Sequence, residues 1–384
     1  MRAHQSRFPV KPTLLAILLA FSADQAIAAS CNWNTTNGNW NAGVNWLTCV
    51  TGNGNPVGVP GSADSATIGA AGVVTVNNSQ SISAITNTGN LIVDSSGTLR
   101  VTGGITGSGI TTVQGGSLLN LEQTQTVGGN ATIVFGASGN NRVGIDGGSK
   151  VVTFASGTTV RGGTGSIGLG QLVNGSGNSV VNQGLISSDS GGTITLDQST
   201  FNNQNIIEAT GAGSVLRLDS PVTNSGGTLR STTGGVMLQN GVTVTGGTIS
   251  NSSGGVYRAS NSGSNFLSGV TVAAGSVVDL ASATSLVRIN GGMTLNGTID
   301  VNSSSLINFE GDQTLAGSGS IVLGSTAAGN RVGIDGGNKT LTLASGITIR
   351  GENGSIGLGQ LVNGSGNALV NNGTISADVA GGTI

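Results

Sequence analysis

Short runs in which apolar and small polar residues alternate recur along almost the whole chain, NLIVDSSGTLRV and GGTITLD among them, with Gly or Asn between the runs. Alternation with a period of two predicts β-strands with one buried face, and the Gly/Asn punctuation predicts turns. The runs are themselves periodic. Ile186, Ile207, Thr228, Ile249 and Val270 are spaced by 21, as are Ile194, Val215, Val236, Tyr257, Val278 and Ile299. Gly192, Gly213, Gly234 and Gly255 keep the same step, two residues before the second series. Val173 lies 21 before Ile194 and extends that ladder, with Leu172 beside it. A fixed step of this kind is what a solenoid needs, because each coil must place its apolar residues over those of the coil below. The expected fold is an all-β, right-handed parallel β-helix of about 21 residues per coil. About 17 coils and about 80 Å of rod follow at the ordinary strand spacing.

A longer repeat lies over this beat. SLLNLEQTQT from Ser117 returns as SLINFEGDQT from Ser305, NRVGIDGGSK from Asn141 as NRVGIDGGNK from Asn330, and GSIGLGQLVNGSGN occurs verbatim from Gly165 and from Gly354. The offset settles at 189, nine times 21, which predicts a duplication of whole coils in one register. The first copy continues beyond GGTI at Ile194 whereas the chain stops after the second GGTI at Ile384. Because natural solenoids cover their terminal strand edge, the chain is expected to be a truncated product.

Composition agrees with a repetitive β architecture. Gly supplies 69 of 384 residues, charged side chains 8% and aromatics 3%. There is no collagen-like triplet, and the supply of Val, Ile and Leu argues against simple disorder. Residues 1–29 read as an export signal: Arg2, Arg7 and Lys11 precede the apolar run from Thr13 to Phe21, and Ala26-Ile27-Ala28 offers a cleavage pattern. That run is too short for an ordinary membrane-spanning helix. The domain plan is therefore a signal at 1–29, a Trp-rich N-terminal cap at 30–62 and a solenoid at 63–384. The mature chain is expected to be secreted or displayed at a cell surface.

Three of the 14 Lys/Arg and one of the 16 Asp/Glu leave with the signal, for a net charge of about −4 and no basic stripe for nucleic acid. His4, the single histidine, leaves too, which removes Ser-His-Asp and Cys-His catalysis and histidine-ligated metal sites. Cys31 and Cys49 are expected to form one disulfide around Trp33, Trp40 and Trp46. The three indoles read as a cap over the open end of the core, with a sugar-stacking patch as the other reading.

The opening WNTTNGNWNAGVNWLTCVTGNGNPVGVPGSADSATIGAAGVVTVNN is similar to the W…GNW…NW…P…D.A.I…G.V.V opening of bacterial exported β-strand-repeat proteins, with Trp33, Trp40, Trp46, Pro60, Asp64, Ala66, Ile68 and Val76 at the matching positions. The chain thus resembles autotransporter passengers and filamentous haemagglutinin-like adhesins. No membrane barrel or sorting tail follows in this sequence. The resemblance implies a non-enzymatic extracellular rod, an adhesin or biofilm-matrix component, whose partners would be a cell surface, a matrix polysaccharide or other copies of itself. No cofactor is expected.

An enzymatic alternative, a polysaccharide-active β-helix, would need clustered Asp, Lys or Arg. Arg142, Asp146, Lys150 and Arg161, their counterparts Arg331, Asp335, Lys339 and Arg350, and the pair Asp189 and Asp378 are the candidates. Solvated corner charge is preferred for them, with Asp146 closing a glycine turn. VGIDGG is similar to a calcium-binding nonapeptide, but each copy stands alone rather than in a tandem array. GLGQLV falls short of a GxGxxG nucleotide loop and has no helix after it.

Overall fold

A computed structural model describes residues 28–49 and 58–384, apart from 138, 171, 174, 198, 282, 283, 326–328, 360 and 363. The expected signal, through Ile27, lies outside the described residues. The described chain is a parallel β-solenoid with about 22 residues per turn. Its one helical element is a 3-10 turn at Gly43–Asn45.

Each turn contributes three short strands, one to each of three faces. Leu185–Ser188 lies on the first face, Thr193–Asp197 on the second and Thr200–Asn203 on the third. In the next turn Ile206–Thr210, Val215–Leu218 and Val222–Thr223 stack on them in parallel register. The second face is a 14-stranded sheet from Ser79–Ile82 to Thr374–Ala377. At the usual spacing it is about 62 Å long. The 17 coils expected from a 21-residue step are too many because the true turn is longer and uneven. Ser79 pairs with Thr98, a step of 19, whereas Ser166 pairs with Thr195, a step of 29.

Strand parity decides the core. In TITLD the burial alternates, with Ile194 and Leu196 inside and Thr193, Thr195 and Asp197 outside. The inward ladder on the first face runs Ile186, Ile207, Leu229, Ile249, Val272. On the second face it runs Ile194, Leu216, Met237, Tyr257, Val278, Ile299. Ile186, Ile194, Ile207, Ile249, Tyr257, Val270, Val278 and Ile299 are thus buried as expected. Val215 and Val236 are not core: they point outward beside the buried Leu216 and Met237. Thr228 is likewise outward, next to Leu229. A strict step of 21 drifts out of phase because corners differ by a residue, and a slip of one turns a side chain to the other face. Val173 and Leu172 are also excluded from the core, at 39% and 46% exposed.

Corners are held by stacked amides. Asn182 Nδ2 donates to Asn203 Oδ1 (2.8 Å) and Asn203 Nδ2 to Asn224 Oδ1 (2.7 Å), all three side chains buried. Such a ladder satisfies polar groups that the turn would otherwise bury unpaired. At the N-terminus Ser30–Trp33 and Asn37–Asn39 pair in parallel with Ser65–Ile68 and Val73–Val76, so the segment before residue 62 continues two of the faces.

The duplicated blocks do not stand in one register. Leu118–Glu122 and Arg142–Asp146 lie on the second face. Their counterparts Leu306–Glu310 and Arg331–Asp335 lie on the third, stacked through Leu286–Ile289 and Phe266–Ser268. From Leu118–Glu122 to Thr298–Val301 is eight steps along the second face, and Leu306–Glu310 is the next strand after it. The copies are offset by eight turns and one face, about 40 Å along the rod and a third of a turn around it. Nine whole coils had been expected. The rod accepts a one-face shift because each face asks the same of a strand: inward apolar residues at every second position.

Candidate functional site

The verbatim stretch explains itself in three dimensions. Gly165–Leu169 is a strand of the second face, and the chain then leaves the coil and folds back over the outside of that sheet before Ser179–Asn182. Asn120 and Asp146 stand on the outer side of their strands, yet neither is exposed at all. Asp146 Oδ2 accepts the backbone N–H groups of Leu172 (3.0 Å) and Val173 (3.1 Å) and the side-chain amide of Asn120 (3.0 Å). Asn120 also donates to Glu122 Oε1 (2.8 Å), and Glu122 takes a two-pronged ion pair from Arg100 at 2.6 and 3.0 Å. That hydrogen bond to Glu122 raises the Arg100 pKa above its ordinary value. Asn178 closes the base of the excursion, donating to Ile145 O (2.9 Å) and accepting from Lys150 N (2.9 Å). Gly170 is required at the crossing, where a Cβ would overlap Asn120 Oδ1 and the Asp146 carboxylate.

The second copy repeats this knot. Asp335 Oδ2 accepts from Leu361 N (3.0 Å), Val362 N (3.1 Å) and Asn308 Nδ2 (2.9 Å), and Arg288 grips Glu310. Asp146 and Asp335 are therefore not solvated corner charges. They are buried carboxylates that pin a loop, and their burial leaves Leu172, Val173, Leu361 and Val362 outside.

Five of the other charged candidates are spent in ion pairs. Arg161 meets Asp189 (2.6 Å), Arg350 meets Asp378 (3.2 Å) and Lys339 meets Asp312 (3.7 Å). Glu208 bridges Ser187 and Arg230 on the turns either side (2.9 and 2.7 Å). These are inter-turn staples on outer faces, each with modest individual worth.

One pair lies in a groove. Arg142 Nη1 and Nη2 reach across two turns to Asp197 Oδ1 and Oδ2, both at 3.2 Å. The groove encloses about 540 Å³ and spans four successive turns, from Leu118 through Arg142 and Ser166 to Thr195. Thr193 and Asn140 complete its polar lining. Burial raises the Asp197 pKa and outweighs the opposing effect of Arg142. No sequence periodicity points to Asp197. The signal, visible only with the turn length known, is that Gly144 and Gly168 stack beneath it, and a Cβ at Gly168 would overlap the Asp197 backbone and carboxylate oxygens.

Cys31 and Cys49 are disulfide-bonded, with Cα atoms 4.6 Å apart. Trp40 and Trp46 are buried, Trp46 Nε1 donates to Trp40 O (2.7 Å), and the Trp46 ring lies edge-on to Trp40 at 4.8 Å and to Trp33 at 5.0 Å. Trp33 alone keeps partial exposure, beside Gly69–Gly72. Among the described residues the Cys31, Cys49 and Asp64 side chains form the one cluster with metal-ligand spacing, and its sulfurs are committed to the disulfide. No described helix is long and apolar enough to cross a membrane. Comparison with protein-family models, with curated proteins and with solved structures gives no match.

Proposed function

We propose that the chain is an exported, right-handed β-solenoid rod with no catalytic role, serving as a surface adhesin or matrix component that contacts cell-surface or matrix polysaccharide and other copies of itself. The observation that carries this reading is the outer surface: three continuous faces rich in Ser, Thr and Asn, on which many of the charges are paired between turns. Such a surface suits many weak polar contacts spread along a rod. We also read the buried Trp40 and Trp46, closed by the Cys31–Cys49 bond, as the cap of the first turn. The test is co-sedimentation of the purified mature protein with bacterial cells, with extracted matrix polysaccharide and with itself. Retention in none of the three would end the adhesive reading and leave the rod.

One arrangement favours a second, enzymatic reading. Asp279 and Asp300 are register partners on neighbouring turns, with Cα atoms about 4.8 Å apart. Asp279 is ion-paired with Arg258 (2.8 Å), whereas burial, and then the Asp279 charge, raise the Asp300 pKa. Adjacent carboxylates, one held in an ion pair and the other with its pKa raised by burial, are the pattern of a nucleophile and an acid in glycoside hydrolysis. Release of reducing ends from neutral and uronate glycans, abolished in both Asp279→Asn and Asp300→Asn, is the outcome this reading requires.

A further inference from the structure

We propose that the groove over Arg142 and Asp197 is a binding site for a neutral oligosaccharide. The inference rests on the reading of the rod as a polysaccharide-contacting surface and gives that contact a place. Most of the outer surface is a set of short flat strands, but here the turns are longer and their corners uneven. Leu118 to Arg142 and Arg142 to Ser166 are steps of 24, and Ser166 to Thr195 is a step of 29, against 20 to 22 on the following turns. The added residues lie mainly at other corners, and the corner on the groove is a short one: Thr159 to Ser166 takes 7 residues where the register-matched Leu185 to Thr195 takes 10, so Gly139 to Asn141 and Thr164 to Gly165 form the side wall of a recess whose floor is the sheet. Asn141 stiffens that wall: its side chain is buried, its Oδ1 accepts from Gly116 N (3.1 Å) and its Nδ2 donates to Thr164 O (2.9 Å). The site is preformed, which lowers the entropic cost of ligand capture.

The lining matches the chemistry of a sugar. The hydroxyls of Ser166, Thr193 and Thr195 make no hydrogen bond to the described protein, face the groove and each offer one donor and two acceptors. Between them sits a nearly enclosed ion pair, Arg142 and Asp197 at 19% and 16% exposure. The Asp197 carboxylate adds acceptor lone pairs to hydroxyls that both donate and accept, so the lining suits vicinal hydroxyls. Because the pair is internally neutral, an anionic ligand would have to displace Asp197 from Arg142. Neutral glycan is the occupant that leaves the pair intact. Four turns span three strand spacings, about 14 Å, which accommodates a short oligosaccharide rather than a single ring.

The experiment is isothermal titration of the full mature protein with neutral hexasaccharides (gluco-, galacto- and N-acetylglucosamino-) and with a hexauronate. Thr193→Val/Thr195→Val removes two hydroxyls and keeps strand propensity, and Thr248→Val on the first face is the control. The expected result is binding of a neutral hexasaccharide that weakens at least tenfold in the double variant and is unchanged in the control, with circular dichroism unchanged in both. Equal affinity in the double variant overturns the groove assignment. If matrix polysaccharide still co-sediments with that variant, the rod's general function stands and only the site is lost. If the wild type binds no glycan in either assay, both fail. Preference for the hexauronate, strengthened by Asp197→Asn, overturns the neutral assignment in favour of an anionic ligand.

Discussion

Replacing Asp146 by Ala is the most direct probe of the pinned loop. The substitution removes one acceptor oxygen shared by Leu172 N, Val173 N and Asn120 Nδ2. A hydrogen bond to a charged group contributes about 1.5–3 kcal/mol, so three give about 4.5 kcal/mol at the lower bound. Two corrections reduce this. Leu172 and Val173 are exposed, so water reaches their freed N–H groups, and Asn120 keeps its bond to Glu122. A net loss of about 2–3 kcal/mol follows, a factor of about 30–150 in the local opening equilibrium. Because a long repeat array does not melt as one unit, a global midpoint is the wrong reporter. Native-state hydrogen exchange is the right one, and the molecule supplies its own control. Leu172 and Val173 amides should exchange about 30–150-fold faster in Asp146→Ala, while Leu361 and Val362, held by Asp335 eight turns and a face away, keep the wild-type rate. Unchanged exchange at Leu172 and Val173, or equal acceleration at both loops, would refute the pinning argument.

Further outcomes test other levels of the structure. Leu216→Asp should unfold its turns, since it places a charge in the core, whereas Val215→Asp should cost less than about 1 kcal/mol, both read by native-state hydrogen exchange of those turns; the reverse order would mean the register is wrong. Cys31→Ser with Cys49→Ser opens a bridge spanning 18 residues, and about 3 kcal/mol should be lost locally, read as a lower urea midpoint for Trp emission. Tyr257 is buried with an unpartnered hydroxyl, and Tyr257→Phe should stabilise its turn by about 1 kcal/mol in exchange measurements. Asp300 has a folded pKa above its unfolded value, so its favourable contribution is complete below the unfolded pKa of 3.8 and is lost as pH rises through the folded one. Asp300→Asn should therefore stabilise the protein at neutral pH, relative to wild type, and not at pH 3.

Much of this was readable from local pattern. Ile186, Ile207 and Tyr257 were placed inside correctly because the 21-residue spacing picked the inward member of the apolar pairs that open LISS, IIEAT and VYRA. Val215 and Val236 were not, because VLRL and VMLQ open with two apolar residues in a row, and the 21-residue spacing chose the wrong one. A better guide was present: Arg217, Arg230 and Arg258 must point outward, which sets the parity of VLRL, TLRS and VYRA and puts Leu216, Leu229 and Tyr257 inside. Asp146 offered no such guide. Its parity is outward, and it is buried only because the chain 24 to 32 residues later folds back across it.

Alternation and punctuation, read along the chain, were enough to determine an all-β solenoid and its inward-facing residue types, because these follow from the two-residue period of a strand, and the verbatim recurrence of GSIGLGQLVNGSGN was enough to reveal a duplication. Turn length, the face on which each copy of the duplicated block lies, the burial of Asp146 and Asp335, and the groove at Arg142 were decided only in three dimensions. The reason is cumulative. Each corner adds or omits a residue or more, and after eight turns those local differences sum to a third of a turn, which a prism of three like faces accepts without disturbing its core.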